Sequence, residues 1–460
     1  MSTTRMSALE LRASASLAGI YSLRMFGMFL ILPVFALYAP MLDGGNDHML
    51  VGIALGAYGL TQAILQLPFG MLSDRIGRKR VIYIGLLLMA IGSLICATAD
   101  NIYLMILGRA VQGAGAISAA ITALLADLTR EEHRTQAMAM IGMSIGITFA
   151  VSLAAGPTLY KLLSLPGIFV LIGILSLAAL IGVWQIVPQP ALSRFHSDAE
   201  ANPTKLRDVL RDPHLLRLNY GIFALHATQM AMFTVMPLIL LQTGGLDANH
   251  HWQVYLPIMV GAFVLMIPAI IYGEKKTRLK QVFVAAVALM FATQAGMALM
   301  LNSFWNIVVL LGGYFIAFNI LEATLPSLIS KIAPAAAKGT AIGVYNATQS
   351  FGTFLGGALG GWLYKVSGGN PAPVFAACTI LMLIWLVVAA SMQPPPAVKT
   401  QMFHIGDTWH GDVRELSRKL GALRGVKEAV VIAEEGVAYL KVLQSDWDEA
   451  GVLRLIQETN

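Results

Sequence analysis

Four ionisable side chains, Arg24, Arg109, His226 and Glu322, stand inside long apolar runs of this 460-residue chain. Ionisable groups in such surroundings are expensive to keep and default to functional candidates. Glu322, in Phe318-Asn319-Ile320-Leu321-Glu322, is an isolated carboxylate that can take up and release a proton or pair with a cation on a neighbouring helix. His226 can relay protons or hydrogen-bond a solute, and the plain alternative is a satisfied core histidine. Arg24 faces a choice between binding an anionic group and pairing with an acid from another helix. Arg109 opens the run Arg109-Ala110-Val111-Gln112-Gly113-Ala114-Gly115, which sets Gln112 one helical turn away. Gln62, Gln66, Gln229, Tyr345, Asn346 and Gln349 could line a cavity, though polar packing between helices explains each of them as well.

A second constellation lies between two apolar runs: Gly70-Met71-Leu72-Ser73-Asp74-Arg75-Ile76-Gly77-Arg78-Lys79-Arg80. Gly70 allows close helix approach, Gly77 permits a tight turn, and the cations suit a lipid headgroup boundary. An ordinary basic loop explains Arg75, Arg78, Lys79 and Arg80, but not Asp74 or the two placed glycines.

Other chemistries find no residues. There is no nucleophile–base pairing, phosphate loop or metal-ligand set, so an enzyme is not expected and neither is a cofactor. Cys96 and Cys378 sit in apolar runs and read as small buried hydrophobes. No cysteine occurs after residue 400, so His404 and His410 read as surface residues and metal binding is rejected. The net charge of +6 comes from cations clustered in short connectors, with no aromatic-interleaved basic face for nucleic acid.

Hydrophobic residues make up 57% of the chain and charged ones 12%, about half the share a water-soluble domain needs to cover its surface. Runs long enough to cross a bilayer recur at 15–40, 50–72, 79–98, 101–126, 136–160 and 165–187. A second set follows at 214–242, 252–273, 280–301, 304–331, 338–366 and 371–392. Lipid leaves helices as the only form for such runs, so the fold class is an all-α membrane protein of twelve transmembrane helices. No cleavable signal is expected at the N-terminus, because Arg24 interrupts the first run.

Basic residues concentrate in alternate connectors (Arg75 to Arg80, Arg130 and Arg134, Lys205 to Arg217, Lys275 to Lys280, Lys338), with Lys161 and Lys365 as exceptions. The positive-inside rule then puts both termini in the cytoplasm. The Pro-rich, then basic connector 188–213 separates an N-terminal six-helix half, 1–187, from a C-terminal half, 214–392. The halves echo each other: Asp74, Arg78 and Arg80 correspond to Glu274, Arg278 and Lys280, and Gly142 and Gly156 to Gly343 and Gly357. Only the first loop keeps its turn glycine, with Thr277 standing in the second. After a Pro-rich linker at 393–399, residues 400–460 read as strand, helix, two strands around Glu434-Glu435-Gly436, and helix. That order resembles a small α+β ferredoxin-like domain lacking its last strand, expected to dock on the membrane part or to self-associate.

The loop at 70–80 resembles, at each diagnostic position, the signature between spans two and three of the major facilitator superfamily. The run Arg109–Gly115 resembles a second motif of that superfamily, and the twelve-span plan agrees, so the resemblance covers residues 15–392. Ser22-Leu23-Arg24-Met25 and the ferredoxin-like tail are similar to its YajR group of bacterial drug-efflux transporters. The resemblance implies a gating set of Gly70, Asp74, Arg75, Gly77, Arg78 and Asp127. Asp74 would meet the N-terminus of span eleven and Arg78 would pair with Asp127, locking the cytoplasmic side in an outward-open state. Arg109 would take part in proton transfer. The span-five Gly156-Pro157 motif is eroded, with Ser152, Tyr160 and Lys161 where glycines are expected. The expected function is proton-coupled efflux of small amphipathic or drug-like solutes across the bacterial inner membrane by alternating access. Partners are then a small-molecule substrate, protons and the bilayer, with no nucleic acid. Nutrient uptake with protons, or a transporter-like sensor signalling through the tail, are the alternatives.

Overall fold

The computed structural model describes residues 6–189, 203–275, 278–334, 337–393, 398–405, 412–433, 436–443 and 446–459. Residues 190–202 of the connector 188–213, Thr277, the Pro394–Pro396 break, the 406–410 stretch with His410, and the Glu434-Glu435 turn lie outside the described residues. So do the side chains of Glu274 and His404.

The N-terminal half comprises α1 (Ala8–Phe29), the short α2 (Phe35–Tyr38), α3 (His48–Ile76), α4 (Arg78–Ala97), α5 (Ile102–Ala114), α6 (Ser118–Leu128) and α7 (Glu131–Gln185). A one-turn α8 (Leu206–Val209) leads to the second half. This half holds α9 (Pro213–Gln242), α10 (Trp252–Lys275), α11 (Leu279–Met300), α12 (Phe304–Ile332), α13 (Lys338–Val366) and α14 (Ala372–Ala390). Polar residues at the entrances explain where several helices begin. Asp47, Asn101, Asp212 and Ser303 each accept a backbone N–H of the first turn. Ser7 and Glu10 form a full capping box ahead of α1.

α4 shows how lipid sorts a helix. Ile84, Leu87, Ile91 and Leu94 are exposed along one stripe, whereas Val81, Ile82, Leu86 and Met89 on the other face are buried. An exposed apolar stripe at helical spacing is the lipid side of a membrane helix. Trp184, Trp305 and Leu299 are likewise exposed. Nine helical stretches among the described residues are long and apolar enough to cross a membrane. One of these, 136–185, is two spans.

The structure corrects four boundaries. Span one leaves the helical path at 30–34, around Pro33, before α2 resumes. Span four is broken at Gly115–Ile117 into α5 and α6. Spans five and six meet without a loop at Ser164, whose φ of 61° interrupts α7. The tail begins with β1 (Val398–His404), inside the segment read as linker.

The tail continues with α15 (Val413–Gly421), β2 (Val426–Ile432), β3 (Val437–Leu443) and α16 (Glu449–Thr459). Its antiparallel sheet has the order β1-β3-β2. Ala438, Leu440 and Val442 point to one face, where Leu416 and Leu420 of α15 and Val452 and Ile456 of α16 complete a core.

Candidate functional site

The loop at 70–80 joins α3 to α4 through Gly77, whose φ of 101° and ψ of 142° suit only glycine. Gly70 packs α3 on α6, so closely that an added Cβ would lie 3.2 Å from the Cβ of Ala119. Arg78 is buried and pairs with Asp74, one turn back, while its Nε lies 3.5 Å from Asp127 at the end of α6. Ser73 accepts a further bond from Arg78 at 3.1 Å. Arg75 points to the exterior. Asp74 has its ion pair with Arg78 and, among the described residues, none with the start of α13.

Two buried arginines occupy the middle of the N-terminal half, 1% exposed each. Arg24 donates to Gln62 at 3.1 Å and to Ser118 at 3.4 Å. Arg109 donates to Gln112 at 2.8 Å, and Gln112 in turn donates to Ser93 of α4 at 2.8 Å. Both guanidinium groups lie over the ring of Tyr58, at 5.7 and 5.1 Å from its centre. Neither forms an ion pair with a carboxylate among the described residues, so Arg24 has no acid from another helix. At the break, Gly115 lies against α4, where an added Cβ would come within 3.1 Å of the Gly85 carbonyl carbon. Gly113 abuts the α3 backbone at Tyr58, and an added Cβ there would come within 2.7 Å of the Tyr58 carbonyl carbon.

In the C-terminal half three helices bring His226, Glu322 and Gln349 together. His226 Nδ1 lies 3.2 Å from the Ile222 carbonyl, which can only accept, so that nitrogen carries the proton. In the neutral ring Nε2 is then an acceptor, and Gln349 Nε2 stands 2.7 Å away as donor. Glu322 approaches the same Nε2 at 3.7 Å. A proton arriving on His226 would turn Nε2 into a donor towards Glu322 and require Gln349 to turn its amide. Glu322 follows a largely buried stretch of α12, and 37% of its side chain is accessible. Tyr345 and Gln229 are buried, and Asn346 half-buried. The amide of Gln66 is buried with no hydrogen-bond partner among the described residues.

The two halves meet chiefly at the end opposite the 70–80 loop. Asp47 accepts from Lys365 at 2.6 Å, and His48 stacks edge-on against Tyr364 with ring centres 4.7 Å apart. The Lys365 ammonium holds the Asp47 carboxyl below the usual carboxylate range. Below them α3 and α13 touch backbone to backbone. An added Cβ at Gly56 would lie 2.8 Å from the Phe354 carbonyl oxygen, and one at Gly59 2.5 Å from that of Ser350. Gly52 faces Gly357 and Gly361 in the same seam. Sequence reasoning noted Gly357 only as a repeat counterpart of Gly156 and missed this seam; the spacing Gly52-x3-Gly56 facing Gly357-x3-Gly361 is the signal that could have found it. At the end with the 70–80 loop, the contacts of Arg78 with Asp74, Ser73 and Asp127 lie within the N-terminal half.

Twelve spans, buried charges within them and a seam closed at one end define a polytopic solute carrier. The chain belongs to the major facilitator superfamily, whose family model matches residues 17–356 and 278–427. It is 43% identical over 443 residues, 96% of each chain, to the inner membrane transport protein YajR of Escherichia coli K12. A more distant relative is the multidrug resistance protein MdtH of Sodalis glossinidius, 24% identical over 75% of this chain and 84% of that protein. In fold it is similar to a bacterial homologue of the human lysosomal transporter Spinster in its inward-facing, occupied conformation. That match has a TM-score of 0.66 at 14% identity and covers 84% of this chain and 96% of the other. The protein is therefore a secondary transporter of small molecules and not an enzyme.

Proposed function

We propose that this protein is a proton-coupled exporter of small amphipathic solutes, residing in the bacterial inner membrane with both termini in the cytoplasm. The observation that carries the reading is the Glu322–His226–Gln349 set. It holds one acid, one base and one amide that can turn, brought together from three helices of the C-terminal half, with part of the Glu322 side chain accessible. Glu322 is the proton carrier, His226 shares its proton, and Gln349 ties that exchange to α13, the helix that closes the opposite seam. The 70–80 loop marks the cytoplasmic end. With the far seam shut and Asp74 turned onto Arg78, the conformation is inward-open, and movement of Asp74 onto the start of α13 would make the opposite lock. Gln62, Gln66, Gln229, Tyr345 and Asn346 line the solute path. Arg24 and Arg109 set a positive potential across it. The 24% identity to a protein named for multidrug resistance supports export over uptake.

Flux in proteoliposomes under an imposed pH gradient, run against a chemically diverse panel, tests the reading. Export should follow the inward proton gradient and be lost in Glu322→Gln. Gradient-driven flux that survives Glu322→Gln would remove that residue from the coupling, and flux in the uptake direction would reverse the proposal.

A further inference from the structure

The tail's sheet has a second face that its own helices leave uncovered. Val437, Tyr439 and Lys441 of β3 point there, flanked by Met402 on β1 and by Glu428, Val430 and Ile432 on β2. Both tail helices pack on the opposite face. Yet Val437, Tyr439 and Lys441 are only 3%, 2% and 8% exposed. The covering comes from the membrane part. Lys441 Nζ donates to the Ala333 carbonyl at 2.7 Å while pairing with Glu428 at 2.9 Å. Ala333 is the residue that ends α12, its own N–H bonded to Ile329.

Helix C-termini present unpaired carbonyls and the negative end of the helix dipole, so an ammonium group is favoured there. A buried ammonium group needs acceptors around it, and here one acceptor belongs to the tail and the other to a membrane helix. α13 starts at Lys338, just past the turn from Ala333.

We propose that the open sheet face is a docking surface for the α12–α13 turn, anchored by Lys441. Through it the tail holds the cytoplasmic start of α13, and with it the ease of closing the cytoplasmic mouth. The docking stands on its contacts alone; its effect on transport rests on the rocking cycle proposed above.

The test uses the full-length protein in nanodiscs, with Cys96 and Cys378 replaced by alanine. Spin labels go on two exposed positions, Lys419 of α15 and Gln281 of α11. The parent should give one narrow distance, Lys441→Met should lose it, and Lys441→Arg, which keeps a donor, should restore it. Tyr439→Arg, which crowds the same face elsewhere, should broaden it too. A narrow distance retained in both Lys441→Met and Tyr439→Arg overturns the docking. Flux is read separately: undocked variants should change the initial rate by about fivefold or more. A lost distance with unaltered flux overturns control of the mouth while leaving the docking in place.

Discussion

Replacing Gly56 by alanine should push this transporter towards its opposite conformation without unfolding it. The new methyl carbon would lie 2.8 Å from the Phe354 carbonyl oxygen, 2.9 Å from its Cα and 3.2 Å from its carbonyl carbon. All three are backbone atoms of α13, so no side chain can swing away, and the helices must part at the seam. Overpacking of this kind costs about 1–3 kcal/mol. In the rocking cycle proposed above the cost falls on the closed seam alone, because α3 and α13 belong to different halves that would separate there in the outward-open state. Charged against one state, it moves the two-state equilibrium by about 5- to 150-fold. Spin labels on Asn46 and Asn370, both exposed at the far end, should report a longer distance in Gly56→Ala than in the parent. Gly261→Ala serves as control, since an added Cβ there meets nothing within 4 Å. An unchanged distance distribution in a folded Gly56→Ala protein would refute the assignment of this seam as the outer gate.

Two smaller effects follow from the polar contacts. The Asp47–Lys365 pair is partly exposed, so Lys365→Met should weaken the far seam by only about 0.2–1 kcal/mol, seen as a modest rise of the longer distance. Lys365 depresses the Asp47 carboxyl, so the pair contributes fully above the ordinary carboxylate range and fades as the pH falls through the lowered value. Acidifying the far side should therefore lengthen the Asn46–Asn370 distance in the parent and leave Lys365→Met unmoved. Asp74→Asn should impair transport while leaving expression intact, and normal flux in that variant would sink the role given to the 70–80 loop.

Hydropathy alone made the spans legible, since any window of lipid-facing helix carries the same signal whatever it packs against, and the connector 188–213 with the matched loop charges divided them into halves. The same insensitivity hid the breaks. Gly115–Ile117 and Ser164 interrupt helices without lowering hydropathy, and only the approach of α5 to the Tyr58 backbone or the reversal of the chain reveals them. Arg78 and Asp127 could be matched because a family motif names both. The partners of Glu322 could not, because His226 and Gln349 arrive from α9 and α13, about a hundred and about thirty residues away along the chain, by packing that no spacing encodes. Arg24 was open between an anion and an acid. The structure gives it amide and hydroxyl acceptors and an aromatic face instead. Lys441 carried no signal at all: in the sequence it is one more cation on an amphipathic strand.

α13 is where these observations converge, because two neighbouring glycines on it face different bodies. Gly356 looks into α9 of its own half, where an added Cβ would lie 2.6 Å from both the Cα and the carbonyl carbon of Ala227. Gly357 looks across the seam, where the Cβ would lie 2.5 Å from the Gly52 carbonyl oxygen and 3.2 Å from a flexible Met230 side chain. In the rocking cycle proposed above, the α9–α13 contact would persist and the α3–α13 contact would not. The same Gly→Ala change, one residue apart, should then have two outcomes. Gly356→Ala should lower the melting temperature and yield of the protein in every state, for want of any conformation that relieves the clash. Gly357→Ala should leave yield near that of the parent and lengthen the Asn46–Asn370 distance, as in Gly56→Ala. If both variants merely destabilise, or both merely shift the distance, then α13 does not divide a fixed face from a moving one. The coupling of Gln349 to His226 would then have to reach the seam by another helix.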